Sequence, residues 1–495
     1  VREALKEREL HLTKLAPHLV KPVFFVWPLT HKIWERPYVG IGMTIYDLMG
    51  GKKSGPRHRH YSPAQLAKAM PGMDPASNVG GMRLYDSVED DSRMALMIAR
   101  TAKSFGAGIL CGAKVTRFTT TGHQVTGVAA VDRTTGQEHQ FKARRVIAAT
   151  GVWSGETATW LDEDAPTLLI RPSKGIHIIV DADALDLDYG ILMRTEKSVL
   201  FVIPWLDRWL IGDTDTEWLE DKAAPVATNA DVDYLLAKVN SALARKLTRS
   251  DVRGVIAGLR PLVQTSPDAD TTKLSREHSV RSPAKGLHII AGGKYTTYRI
   301  MARDAVDSAV GEDSPDRDHF SSFPKNRTAD IPIFGAADYQ TARADIQREG
   351  PFAGLPDQVL DHLVSRHGSA VRELAQLATA DPALAEPIPG YHPYLWAEIS
   401  YACRAEGAMT IRDVLERRTR IAACFADGGE SILDQVATVM AAELGWSESQ
   451  RGKQLSGYRT WRSAEQAALA ENSDSAAAAA YARLMGGLPD QYLTE

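Results

Sequence analysis

The run Leu287-His288-Ile289-Ile290-Ala291 constrains this chain more than any other stretch. It reads as a short buried strand. It leads directly into Gly292-Gly293-Lys294, and Thr296 to Ala309 then has helical spacing. A strand that turns through paired glycines into a helix belongs to an α/β layer, because both elements must share one core. Glycines let the backbone approach a ligand closely. The free amides at the helix start favour an anion or an electron-rich ring edge, and Lys294 adds positive charge there. Taken alone, the pattern fits an ordinary β-turn-α joint with a surface lysine equally well.

A second strand of the same kind, Arg145-Val146-Ile147-Ala148-Ala149, ends at Thr150-Gly151. Before it, Ser92 to Phe105 is helical. Gly108 to Cys111 reads as a short buried strand. Lys114–Phe118, Gln124–Asp132 and Glu138–Phe141 read as strands with glycines in the turns. After it, strands are predicted at Gly175–Val180, Leu200–Pro204, Arg208–Gly212 and Arg253–Leu259, with a helix at Ala230–Leu247. The start of the chain, to about Tyr61, reads as helix, apolar loop and helix. Neither Gly40/Gly42 nor Gly50 to Gly55 has the spacing of a nucleotide-binding loop.

Length and composition leave room for two or three domains. The 495 residues are 44% hydrophobic and 24% charged, ordinary for a globular protein. A net charge of -4 argues against nucleic acid as a partner. Cys111, Cys403 and Cys424 are too few and too scattered for a disulfide framework or a zinc site, and no metal is expected. A cytoplasmic location is expected. No run is long enough to span a bilayer, but residues 20–49 mix Phe24, Phe25, Trp27, Trp34 and Tyr38 with basic side chains. That mix suits either packing on the protein body or peripheral contact with the inner face of a membrane.

Three further pieces carry candidate chemistry. Arg260, in Gly258-Leu259-Arg260-Pro261-Leu262, ends a predicted strand and is fixed by a following proline. Arg276 lies in Ser275-Arg276-Glu277-His278. Two guanidiniums and Lys294 converging on one point would suit a small phosphate ester, since arginine grips phosphate with a planar fork. Each arginine alone fits a surface ion pair. His177, in Ser173-Lys174-Gly175-Ile176-His177-Ile178, lies between apolar neighbours. Such a histidine is ordinarily structural, but as a base it would take a hydroxyl proton.

Taken in order, these pieces resemble the bacterial FAD-dependent glycerol-3-phosphate dehydrogenases. The resemblance is carried by Tyr85-Asp86, Asp90-Asp91-Ser92-Arg93, Ala149-Thr150-Gly151-Val152-Trp153 and Lys174-Gly175-Ile176-His177. It continues through Val202-Ile203-Pro204-Trp205, Gly258 to Leu262, Gly293 to Arg299, Arg404-Ala405-Glu406-Gly407-Ala408 and Arg417-Arg418-Thr419-Arg420. It implies an α/β + α architecture: a two-dinucleotide-binding-type flavoprotein fold with a β-sheet substrate domain and a helical C-terminal cap domain. The expected division is 1–310 for the oxidoreductase part, 311–332 for a linker and 333–462 for the helical domain. An Ala-rich tail, 463–495, is expected to be partly disordered.

The resemblance also implies the reaction. Glycerol 3-phosphate would lose a hydride from C2 to FAD, and the electrons would pass to a quinone. A homodimer is expected. By motif position, Arg260 and Arg276 would hold the phosphate, and His177, Arg260 and Lys294 would be the catalytic set. Val115, Thr150, Gly151, Gly293, Lys294, Thr296 and Thr297 would line the FAD.

Two departures stand out. The family's opening strand, G-x-G-x-x-G turn, acidic ribose ligand and Ser-rich flavin stretch do not precede Val1. The first βαβ unit is therefore expected to be incomplete and FAD to be held weakly. Asp213 also stands where the family usually has Thr. Two alternatives stay open: an oxidase of the same substrate that uses oxygen, and a non-catalytic truncated remnant.

Overall fold

The computed structural model describes residues 1–51, 55–161, 169–196, 199–263, 277–311 and 326–486. Three sheets and a large helical region make up the described chain. The largest sheet contains β1 (Lys21–Pro28), β2 (Arg59–Tyr61), β3 (Gly81–Val88), β8 (Ile170–Asp181), β9 (Gly190–Arg194), β10 (Val199–Trp205), β11 (Arg208–Gly212), β12 (Thr216–Glu217) and β13 (Val252–Val263). A meander of β4 (Ala113–Thr121), β5 (Gln124–Asp132) and β6 (Glu138–Lys142) forms a second. The third holds β7 (Val146–Ala148), β14 (His278–Ala284) and β15 (Leu287–Gly292), with β7 and β15 parallel.

The large sheet is packed on both faces, by different partners. Along β8, successive side chains point to opposite faces. Ile176, Ile178 and Val180 go inward against Val232, Leu235, Leu236 and Val239 of the helix Asn229–Asn240. Ser173, Gly175 and His177 go to the other face. Lys174 shares the inward set and is almost fully buried, where Asp231 (2.7 Å) and Asp474 hold its ammonium. That lysine is therefore a structural cation, one residue away from the face that carries Ser173, Gly175 and His177.

Two expected elements differ. The apolar loop expected near the start is strand β1, antiparallel to β3 along its whole length and parallel to β9. The two prolines near its ends misled the sequence reading, yet Phe25 and Val26 are both buried in the sheet. Conversely, Gly108 to Leu110 forms no strand and is exposed, with Leu110 65% accessible. An apolar tripeptide becomes a strand only where a neighbour takes up its amides and carbonyls, and no described strand pairs with it.

Beyond residue 326 the chain is helical. Thr410 and Asp413 form a reciprocal cap, and the turn that follows, Asp413–Arg418, is a π-helix. The Ala-rich stretch is ordered as far as the described residues run. Helices Glu448–Leu469 and Asp474–Met485 pack antiparallel-fashion onto the C-terminal core through Ala464, Ala468, Ala477 and Tyr481. Alanine is a strong helix former, and its small side chain lets two helices approach, so weak patterning there does not mean disorder. The expected linker falls largely on 312–325, outside the described residues.

A buried charge cluster joins the helix Asp91–Ser104 to the C-terminal helices. Arg93 meets Glu406 at 2.7 Å, Arg366 and Arg420 meet Asp90, and His362 and His367 meet Glu398. His18 is fully buried beside this cluster, and neither ring nitrogen has a hydrogen-bond partner among the described residues. Burial, with the charges of Lys21 and Arg93, pushes its pKa down to about 3. A lowered folded-state value means the unfolded chain binds the proton first. Stability from His18 is thus fully present above the ordinary value near 6.5 and is lost as pH falls toward 3. Between pH 7 and 5 this amounts to about 2 kcal/mol. His18→Phe is expected to flatten that acid limb in urea melts run at both pH values. An unchanged pH slope in the variant would refute it.

Candidate active site

The site face of β8 meets β13 in antiparallel register: Ser173 opposite Arg260, Gly175 opposite Gly258, His177 opposite Ile256. Residues opposite each other share a face, so Arg260 and His177 stand on the same side with two glycines between them. The Arg260 guanidinium lies across Gly175. A Cβ on Gly175 would come within 2.5 Å of its Nη2. Gly212 on β11, paired with His177, plays the same part for the imidazole, because a Cβ there would be 2.4 Å from His177 Cδ2. At Gly212 the Ile176 carbonyl, 2.7 Å from such a Cβ, also leaves no room, whereas at Gly175 the obstacle is the end of the Arg260 side chain alone.

Arg260 makes four hydrogen bonds to three groups. Nη1 donates to Ser173 Oγ (3.3 Å) and to the Thr214 carbonyl (3.2 Å). Nη2 donates to the Thr214 carbonyl (3.3 Å) and to the Asp213 carboxylate. The His177 ring is mostly buried. That burial, reinforced by Arg260, lowers its pKa, against opposing pulls from Asp213 and Asp91. A neutral imidazole at pH 7 is the form that accepts a proton.

The two glycine turns sit at one edge of the small sheet. β7 and β15 are parallel neighbours, so Thr150-Gly151 and Gly292-Gly293-Lys294 both follow carboxyl ends of adjacent strands, where α/β sheets bind ligands. Gly151 (φ +57°), Gly292 (φ +75°) and Gly293 (φ +92°) all adopt the left-handed region. A Cβ on Gly151 would meet nothing within 4 Å, so its backbone is bare on that side. The turn Tyr295–Thr297 starts the helix Tyr298–Val310, and no side chain caps the start of either. Bare backbone at one strand end and an uncapped helical start with a lysine at the other fit the edge of a flavin dinucleotide.

The sequence-predicted residues divide accordingly. His177 and Arg260 are brought together. Thr150, Gly151, Gly293, Lys294, Thr296 and Thr297 share the sheet edge. The Thr297 hydroxyl is turned inward and donates to the Lys294 carbonyl at 3.0 Å. The Thr150 hydroxyl lies 3.0 Å from that of Thr157. Val115 stands apart on β4 of the meander, 39% exposed. Arg276 lies outside the described residues. Val263, at the end of β13, approaches to 2.8 Å of a Cβ position on Gly292, which joins the arginine's strand to the glycine turn.

Sequence reasoning missed Glu89. It shares a cavity of ≈ 340 Å³ with Lys294, Thr296, Arg8 and Asp86. Burial, then the charges of Asp91 and Asp90, raise its pKa to about 7. The signal was present as three consecutive acids, Glu89-Asp90-Asp91, which cannot all ionise easily when one is buried. Next to it, the Tyr295 hydroxyl donates to the Asp91 carbonyl at 3.2 Å. Among the described residues no cluster of side chains has the makings of a metal site.

Fold and site together define an FAD-dependent oxidoreductase. Residues 1–302 match the FAD dependent oxidoreductase family model, and 326–451 match the C-terminal domain of alpha-glycerophosphate oxidase. Among curated relatives, glycerol-3-phosphate dehydrogenase 2 of Mycobacterium tuberculosis is 43% identical over 477 residues, 96% of this chain and 80% of that protein. The mitochondrial glycerol-3-phosphate dehydrogenase of Bos taurus is 31% identical over 470 residues, 92% of this chain and 63% of that one. The solved glycerol-3-phosphate dehydrogenase of Bacillus halodurans, complexed with FAD, superposes with a TM-score of 0.75 at 26% identity, covering 92% of this chain and 84% of that one. The chain belongs to the glycerol-3-phosphate dehydrogenase family of these flavoproteins.

Proposed function

We propose that this chain oxidises sn-glycerol 3-phosphate to dihydroxyacetone phosphate. The observation that carries the reading is the pairing of an arginine fork with a neutral histidine on a glycine floor, next to a strand edge suited to a flavin. When bound, FAD supplies a two-electron acceptor for the hydride leaving C2. Arg260, joined by Arg276, would hold the substrate phosphate, with each charge-assisted bond contributing about 1.5–3 kcal/mol. His177 would take the C2 hydroxyl proton at its free ring nitrogen. Thr150, Gly151, Gly293 and the turn to Thr297 would hold the flavin, with Val115 further out and Lys294 supplying positive charge beside it.

Dye-linked oxidation compares sn-glycerol 3-phosphate with glycerol and with lactate. A preference for the phosphate ester of at least about a hundredfold in kcat/KM is expected from two or more lost charge-assisted bonds. Equal rates with glycerol would end the assignment. Release of peroxide in air, with no need of a dye or quinone, would point to the oxidase instead.

The delivery of electrons to a quinone has its own structural support. The helix Glu35–Gly50 and the residue before it expose Trp34, Tyr38, Ile41, Ile45 and Leu48, spaced four, three, four and three apart, as one apolar stripe. Solvent-facing helices ordinarily show a polar stripe. With Lys32, Arg36 and Arg57 nearby, the helix suits the headgroup region of an anionic bilayer. No described helix is long and apolar enough to cross a membrane. Tyr38→Glu combined with Ile45→Glu is expected to abolish co-sedimentation with phosphatidylglycerol vesicles. Undiminished pelleting of that variant would refute membrane contact through this face. A homodimer is part of the same proposal.

A further inference from the structure

We propose that Asp213 sets the substrate affinity of this site by occupying, as a built-in anion, the place on Arg260 that the substrate phosphate must take. The inference rests on the reading of Arg260 as a phosphate ligand. Its geometry is independent of that reading.

Several cations around β8 have a carboxylate, but the pairs differ in kind. Lys174 is sealed between Asp231 and Asp474 with 1% of its side chain exposed, so its partners are permanent. Arg171 meets Glu217 at 2.6 Å at the sheet's edge, away from the glycine floor. The Arg260–Asp213 pair lies on that floor, with side-chain exposures of 30% and 25%. A solute can reach both members. Among the described residues Arg260 is the one hydrogen-bond partner of the Asp213 carboxylate, whereas Arg260 keeps Ser173 and Thr214 if that bond is broken. Two of the three groups that hold the fork therefore remain without Asp213.

Its effect on a ligand is electrostatic. A phosphate monoester carries up to two negative charges and seeks the guanidinium edge that Asp213 holds. If it displaces the carboxylate, it must leave that carboxylate nearby as a like charge, which costs binding energy. An unphosphorylated alcohol meets neither term. The consequence is a site that recognises phosphate esters but holds them loosely, with the penalty written into one side chain. His177 lies against Gly212, next to Asp213 in sequence, so the same carboxylate also stands within electrostatic range of the imidazole. This leaves a competing role to separate, that of orienting the base.

Calorimetric titration of the intact chain with sn-glycerol 3-phosphate, inorganic phosphate and glycerol, set beside steady-state dye reduction, separates them. Asp213→Asn is expected to tighten both phosphate ligands about tenfold and to leave glycerol unmoved, with the kinetic effect in KM rather than kcat. Asp213→Ser, which keeps no amide in that place, should do the same if Asn proves unstable in a thermal melt. A fall in kcat with a shifted pH profile and unaltered phosphate affinity would overturn the proposal in favour of base orientation. Weaker phosphate binding in both variants would also overturn it. Arg260→Gln serves as the control. If it binds phosphate as the unaltered chain does, the phosphate reading of Arg260 has failed. If it loses phosphate while the Asp213 variants gain nothing, only the role of Asp213 has failed.

Discussion

Glu406→Gln is expected to destabilise the protein by about 3–5 kcal/mol. Glu406 ends the helix Trp396–Glu406 and receives both Nη groups of Arg93 at 2.7 Å, with each side chain about 1% exposed. Burial by itself would raise the pKa of Glu406, but Arg93 and His367 bring it well below the ordinary carboxylate range. Glutamine keeps the shape and removes the charge, which strands a guanidinium in the interior. Arg93 also donates from Nε and Nη2 to the Arg366 carbonyl, so movement there reaches Asp90 and Arg366. Urea unfolding at pH 7 reads the loss. Arg93→Leu with Glu406→Leu should recover much of it, because removing both charges leaves none unpaired. A Glu406→Gln variant within 1 kcal/mol of the parent would show that the cluster is solvated rather than sealed.

Arg260→Gln is expected to lower kcat/KM for sn-glycerol 3-phosphate by about 10²–10³-fold, equivalent to roughly 3–4 kcal/mol of lost charge-assisted bonding. The loss should be absent for glycerol, whose oxidation needs the base and the flavin but no phosphate ligand. Gly175→Ala tests the same geometry without touching a charge. The new methyl would sit 2.5 Å from Arg260 Nη2, so the fork must swing away, and a smaller loss confined to the phosphate ester is expected. Equal losses for glycerol and its phosphate in both variants would mean that Arg260 supports the sheet rather than the substrate. The contrast is sharp because the arginine is the part of the site most dependent on its floor.

The local features of the candidate site were legible in the sequence because they depend on neighbours along the chain. The Gly292-Gly293-Lys294 and Thr150-Gly151 turns follow strands that are apolar in their own right, and the structure places both where a strand hands over to a helical turn. His177 and Arg260 were marked by residue type, but the expected strand end at Arg260 is not one: β13 runs on through Pro261 to Val263, so both residues lie inside paired strands. Their juxtaposition was not legible, since it depends on the register of β8 against β13, set across more than eighty residues. Asp213 was visible as a departure, but its pairing with Arg260 was not. Lys174 illustrates the converse. It is adjacent in sequence to the functional glycine, yet strand alternation sends it into the core.

By itself the sequence determined the α/β character, the order of the glycine turns, the helical C-terminal region and the residue types of the candidate site. These follow from periodicity and from conformations that few residues adopt, which are properties of neighbours along the chain. The tertiary structure alone decided that β1 is a strand and Gly108 to Leu110 is not. It also decided that Glu89 is raised by burial and that Arg260 already holds an anion of its own. Each of those depends on which distant groups supply hydrogen bonds, exclude water or bring a charge close, and none of these is written in local order.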